Sequence, residues 1–192
     1  MSNSKMQEKR EQEAQIKRTE IHQGVIFKVV RDEITFDHQA PKTFDLVLHP
    51  GAVALIPINA NGEILLVKQW RRAAQQILIE LPAGTLEKDE DPLFCADREL
   101  REETGMRAKN ITFLTGFYSA PGILSEYLYL YLAEKLTPDP LIGEDTDDID
   151  QLTVSIGKAT QMIQSGEIID AKTILGILWY KQWINSEKTS KG

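Results

Sequence analysis

The sequence predicts an α/β fold of the α+β kind, a layered core preceded by a small β-strand unit. Three observations predict it. Apolar runs of strand length alternate with segments of helical periodicity. Asn59-Ala-Asn-Gly62 joins two of those runs with the strongest short hairpin signal in the chain. A helix over 92–104 is punctuated at both ends. With 192 residues, 42% of them hydrophobic, the chain can bury one sizeable core with a small appendage.

Residues 1–18 alternate Lys, Arg, Glu and Gln with almost nothing to bury, which reads as a frayed helix or loose leader. The β-rich stretches 25–30 and 43–48 flank a polar segment with turn character, giving a β unit over 19–49. Apolar strands at 51–58 and 63–69 open the main sheet, and another follows at 77–81. A loop over 82–87 leads to the helix at 92–104. There Asp91 can cap the first turn, Pro92 fits the first helical position, and Gly105 supplies a left-handed stop. Strands follow at 111–117 and 126–133, then an acidic loop at 143–150 and a strand at 152–155. Helices at 156–165 and 171–184, with Gly166 between them, complete a domain spanning 50–186. Residues 187–192 are a polar tail.

The formal net charge of -7 argues against a broad nucleic-acid footprint. No apolar run approaches the length that spans a bilayer, and residues 1–18 lack the apolar segment of a signal peptide. Cys95 is the only cysteine, so no internal disulfide can form, and the expected compartment is the reducing cytoplasm. His22, His38 and His49 show no metal-ligand spacing.

The chemistry is carried by 84–106. Glu99, Glu102 and Glu103 stand at i, i+3 and i+4 and project from one side of their helix, beside a stripe of Leu93, Ala96 and Leu100 that can pack on the sheet. Carboxylates crowded in this way repel one another, so a positive charge is expected among them. Either Arg98 and Arg101 balance a solvated acidic face, or a hard divalent cation collects the oxygens.

The surrounding positions resemble the Nudix box throughout: Gly84, five residues, Glu90, seven residues, Arg98-Glu99-Leu100, one residue, Glu102-Glu103, one residue, Gly105 and an apolar Met106. The resemblance implies an αβα sandwich with a mixed central sheet, hydrolysing a nucleoside diphosphate linked to another group. It makes Glu99 and Glu103 the principal metal ligands, Glu102 a further ligand or water contact, and Ala83 a carbonyl donor. The implied ion is Mg²⁺, with Mn²⁺ as the alternative. Arg98 would orient the carboxylates. Glu90 would contact the metal site through water or tie down the preceding loop.

Beyond the box, Pro121 stands 16 residues after Gly105 within Ser119-Ala-Pro-Gly122, and this resembles the ADP-ribose pyrophosphatase branch. Glu80-Leu-Pro-Ala-Gly84, Gln69-Trp-Arg71 and Asp170-Ala-Lys-Thr173 are similar to it as well. The implied reaction is ADP-ribose plus water to AMP plus ribose 5-phosphate. Arg71 would reach the diphosphate, and Glu80 would bond a ribose hydroxyl or orient Arg71. Pro121, Gly122 and Glu126 would line the ribose and phosphate region. Phe27, Trp70 and Tyr118 are candidates for stacking on adenine.

In that branch a glutamate of a late acidic loop serves as general base. Here the alignment sets Asp147 at its place, one methylene shorter, with Glu144 as second choice. The implied partners are a nucleotide-sugar substrate and a second copy of the chain, a homodimer formed through the N-terminal strands. Neither nucleic acid nor membrane is expected. The rivals are a pyrophosphatase for GDP-mannose or ADP-glucose, and a nucleotide-binding module without turnover.

Overall fold

The computed structural model describes residues 2–36, 39–143 and 148–190, with side chains through 186. It forms two compact units, one of residues 1–50 with 120–126, the other of 51–119 with 127–192.

In the first unit, helix α1 (Asn3–Glu13) exposes every residue, with Ser2 capping its first turn. Strands β1 (Gln15–Gln23), β2 (Lys28–Thr35) and β3 (Lys42–Leu48) form an antiparallel sheet in that order. Several expectations change here: the unit has three strands where two were expected, β1 being the addition, and the strand expected from residue 25 begins at Lys28. Gln15 to Arg18, read as part of a loose leader, lie in β1, and the polar segment after Val30 continues β2 instead of turning. The cause of both is ion pairing across strands, which leaves no hydrophobic alternation to read. Arg18 grips Asp32 through two bonds of 2.7 Å, so Asp32 is buried without being unpaired. Arg31 grips Asp45 in the same way. The segment 120–126 runs beside β3, where Val47 N–H donates to Ile123 O at 2.7 Å and Ser125 N–H to Val47 O at 2.9 Å.

The second unit is built on a seven-stranded mixed sheet. Its members are β4 (Ala52–Ile58), β5 (Glu63–Arg71), β6 (Gln76–Glu80), β7 (Ala83–Thr85), β8 (Met106–Tyr118), β9 (Tyr127–Pro138) and β10 (Asp150–Ser155). The main order is β10-β5-β4-β9-β8, with β6 on β5 and β7 on β4, and among the described residues of this sheet only β4 and β9 run parallel. The Asn-Gly hairpin lies between β4 and β5, where Asn59 Oδ1 accepts from Asn61 and Glu63 N–H. β7 was expected as loop. Three residues give no periodic signal, and its pairing of Ala54 with Ala83 is visible only in three dimensions.

Every residue of β4 is buried, and its side chains alternate between two cores. Val53 and Leu55 join Cys95, Ala96, Leu100, Tyr131 and Ala133 under α2 (Pro92–Thr104). Ala54 and Ile56 join Leu66, Leu130, Met162, Ile168 and Ile177 under α3 (Ile156–Ser165) and α4 (Ala171–Ser190). Helices therefore cover both faces of the sheet, an αβα sandwich. Among the described residues no helix is long and apolar enough to cross a membrane.

Candidate active site

The ends of α2 are fixed by local chemistry. Asp91 accepts the Leu93 N–H at 2.8 Å, and Gly105 leaves the helix at φ +67, a conformation that favours glycine. Cys95, Ala96 and Leu100 turn inward, fully buried. Leu93, expected in that stripe, is instead 45% exposed, and Cys95 fills its place. This rotation sets residues 98, 99, 102 and 103 along the side of the helix that borders the core.

Arg98 is the hub of that side. Its Nε and Nη2 bond both oxygens of Glu90 at 2.9 and 3.0 Å, and Nη1 bonds Glu99 Oε1 at 2.6 Å and Glu102 Oε2 at 3.1 Å. One guanidinium thus answers three carboxylates. Glu90 also accepts the Glu87 N–H at 2.9 Å, tying the loop before the helix to the same group. The Arg98 fork holds Glu90 below the usual carboxylate range, outweighing the upward push of burial.

Glu103 faces away from Arg98 and accepts the Ala83 N–H at 2.9 Å. Burial pushes its carboxyl up to about 7, with the Ala83 bond opposing and the charge of Glu99 adding to the rise. Burial likewise raises Glu99, against the pull of Arg98. Gly84 lies directly over Glu99. A Cβ at Gly84 would stand 1.8 Å from the Glu99 carboxyl carbon, so only glycine admits this approach.

Among the described residues no three His, Cys, Asp or Glu side chains converge on one point as an ion-holding group. Glu99 and Glu102 are turned onto Arg98, and Glu103 onto a backbone N–H. The donors themselves fit a hard divalent cation. Glu99 and Glu103 are neighbouring oxygen donors, costly to ionise together where they stand, and the Cβ-less cradle at Gly84 lets backbone approach them. To meet on one ion, Glu99 and Glu102 have to turn from Arg98.

A second cluster pairs two cations with two carboxylates. Glu80, 1% exposed, receives Arg71 Nε and Nη2 at 2.7 and 2.8 Å on its two oxygens, and Lys172 Nζ also donates to it. Burial drives Glu80 upward, yet the two cations leave it below its ordinary value. Lys172 Nζ lies 3.1 Å from Asp170 Oδ2, and Asp170 accepts the N–H and hydroxyl of Thr173 at 2.9 and 2.6 Å. Thr173 Oγ1 accepts the Leu81 N–H at 2.8 Å, closing a path from the start of α4 to the end of β6. Lys172 has no role legible in the sequence. The one signal was its place in Asp170-Ala-Lys-Thr173, which gives no hint of a partner 92 residues earlier.

The second unit thus contains Arg71, Glu80, Ala83, Glu99, Glu102 and Glu103. Pro121, Gly122 and Glu126 belong to the first. There Ile123 and Leu124 N–H close a turn onto Ala120 O, and His49 Nδ1 lies 3.7 Å from Glu126 Oε1. A Cβ at Gly122 would meet nothing within 4 Å. Glu144 and Asp147 lie outside the described residues, as does His38. Of the stacking candidates, Phe27, Trp70 and Tyr118 are 37%, 56% and 57% exposed, and Tyr118 packs edge-on against Tyr127.

An αβα sandwich with an acidic helix cradled against a glycine of a short strand defines the class of molecule. The chain belongs to the Nudix family: residues 48–174 match the NUDIX domain. It is 33% identical to the ADP-ribose pyrophosphatase of Bacillus subtilis over 185 residues, covering 92% of this chain and 98% of that one. It is 34% identical to the methanol dehydrogenase activator of Bacillus methanolicus over 168 residues, 86% of this chain and 91% of that one. In fold it is similar to a crystal structure of an ADP compounds hydrolase, with a TM-score of 0.81 at 19% identity, covering 91% of this chain and 95% of that one. Nudix hydrolases in general use divalent metal ions.

Proposed function

We propose that this chain hydrolyses the pyrophosphate bond of ADP-ribose, releasing AMP and ribose 5-phosphate, with Mg²⁺ as its ion and Mn²⁺ as the substitute. The observation that carries the reading is the presence, in one unit, of crowded carboxylates and of an Arg71 guanidinium with N–H groups to spare. Glu99 and Glu103 crowd negative charge on α2, while Arg71 and Lys172 are close enough that both pull the Glu103 carboxyl downward. A metal-bound diphosphate needs both signs of charge side by side. The similarity to an ADP-ribose pyrophosphatase over nearly the whole chain favours that sugar.

In this reading Glu99 and Glu103 are the principal ligands, Glu102 a further ligand or water contact, and Ala83 a carbonyl donor. The bound ion supplies charge neutralisation of the diphosphate and a lowered pKa for the attacking water. Arg71 spends two of its N–H groups on Glu80, so three of its five are left for phosphate oxygens. Arg98 keeps its fork on Glu90 and orients Glu99 and Glu102 from beside the ion once they have turned to it. Asp147, or Glu144 as second choice, takes the proton as the water oxygen bonds to phosphorus and the bridging P–O bond breaks. Pro121, Gly122 and Glu126 serve the ribose and phosphate region.

The assembly is read as a homodimer joined through the N-terminal strands. β1 exposes all its residues, and Ile16, Ile21 and Ile26 stand open around it. With Cys95 buried and no second cysteine, the compartment is read as cytoplasm.

The test is AMP release from ADP-ribose, ADP-glucose and NAD, and GMP release from GDP-mannose, each with Mg²⁺, with EDTA and with Glu103→Gln. Metal-dependent cleavage strongest for ADP-ribose and lost in the variant supports the reading. Preference for GDP-mannose or ADP-glucose replaces the substrate and keeps the chemistry. Binding without turnover on the whole panel overturns the enzyme reading.

A further inference from the structure

Lys172 holds a position that the acidic helix and the Arg71 fork do not by themselves explain. Its ammonium is largely enclosed, with 14% of the side chain exposed, between two carboxylates. One of these, Glu80, is already fully engaged by a bidentate guanidinium. A buried carboxylate that needs only neutralising requires one cation. Here two share it, and the second cation brings its own anion, Asp170, fixed by Thr173 at the start of α4. The four charges sum to zero, but their arrangement has a direction. Glu80 is bonded on both oxygens by Arg71 and on Oε2 by Lys172 as well, so it is pinned from α4 and cannot swing with Arg71. The Leu81 N–H bond to Thr173 locks the same strand end to the same helix start.

From this geometry we infer that Lys172 is a positioning residue. By clamping Glu80 to α4 it holds the Arg71 guanidinium in one orientation, with its three uncommitted N–H groups directed at the diphosphate. The inference rests on the proposed pyrophosphatase reading and deepens it. A guanidinium aimed beforehand meets the charge that develops on the phosphoryl oxygens without reorganising, so the benefit falls on kcat rather than on folding.

The experiment compares wild type, Lys172→Met, Lys172→Arg, Arg71→Gln and Lys172→Met with Arg71→Gln, measuring kcat, KM and the thermal midpoint of each with ADP-ribose and Mg²⁺. ADP-ribose binding is measured alongside. Methionine keeps the aliphatic stem and removes the charge. The expected result is a fall in kcat of about tenfold or more for Lys172→Met with the thermal midpoint nearly unchanged, and recovery of most of kcat in Lys172→Arg. The decisive comparison is the double variant. If Lys172 acts through Arg71, its removal costs nothing further once Arg71 is gone. Losses that multiply in the double variant overturn the inference, as does wild-type kcat in Lys172→Met. A lowered thermal midpoint with unaltered kcat makes Lys172 an anchor of α4 and overturns it too. Wild type that neither binds nor cleaves ADP-ribose overturns the substrate reading itself, an outcome separate from each of these.

Discussion

The Glu99 carboxylate packs against the backbone of Gly84 so closely that a single methyl group at residue 84 would overlap its carboxyl carbon, at 1.8 Å. The overlap is with the end of a side chain, so it can be relieved by turning that carboxylate, but the methyl then bars it from the Gly84 backbone, beside which it is proposed to serve as a principal ligand. Gly84→Ala should therefore leave the chain folded and lower kcat/KM by about 100-fold, the order of loss that a misplacement of about 1 Å produces. Circular dichroism and steady-state rates check this. Wild-type activity in the variant would show that Glu99 can be relocated without cost.

Glu103 makes stability depend on pH. Its carboxyl is pushed from 4.5 up to about 7, so the folded chain holds that proton more tightly than the unfolded chain does. The stabilisation is complete below the unfolded value and is lost as pH rises through about 7. In EDTA, urea unfolding should show wild type losing more stability than Glu103→Gln between about pH 5 and about pH 8. The difference should be at most on the order of 3 kcal/mol. Parallel slopes for the two proteins would contradict it.

Glu80 is a fully buried anion serving two cations. Glu80→Ala leaves both without it, and the expected loss is about 3 to 5 kcal/mol in urea unfolding, with activity lost as well. Glu80→Gln, which can still accept a hydrogen bond, should cost less. Equal stability of Glu80→Ala and wild type would mean that the network contributes nothing net to folding.

Asp147→Asn should lower kcat by about 100-fold or more while KM stays near wild type, the pattern for removal of a general base. If Glu144→Gln shows that loss and Asp147→Asn does not, the base is Glu144. If neither loses activity, the proton leaves by another route.

Light scattering at micromolar concentration should return twice the chain mass of 21.7 kDa. A mass equal to one chain would remove the strand-mediated homodimer.

What could be read from the sequence divides by how local its cause is. The bounds of α2 coincide with expectation because Asp91, Pro92 and Gly105 terminate it with their own atoms. The hairpin at Asn59 and the stop at Gly166 are local in the same sense. β7 and the whole of β1 escape a sequence reading because partners distant in sequence define them. β8 extends well beyond the apolar run at 111–117, since its first residues, of which only Ala108 is buried, are held by pairing with the end of β9. The same distinction runs through the candidate site. Spacing alone places Glu99, Glu102 and Glu103 on one side of a helix. That Arg98 bonds two of them together with Glu90, and that Lys172 reaches Glu80, depends on rotamers and on contacts that no periodicity encodes.

Because Arg98 answers Glu90, Glu99 and Glu102 from within the chain, the acidic helix has a counter-charge of its own, and folding should not depend on an ion as it does in small metal-stapled domains that come apart in chelator. Scarcity of the ion would then idle this protein without discarding it. The idle molecules would remain a standing reserve, returned to work by resupply alone with no new synthesis.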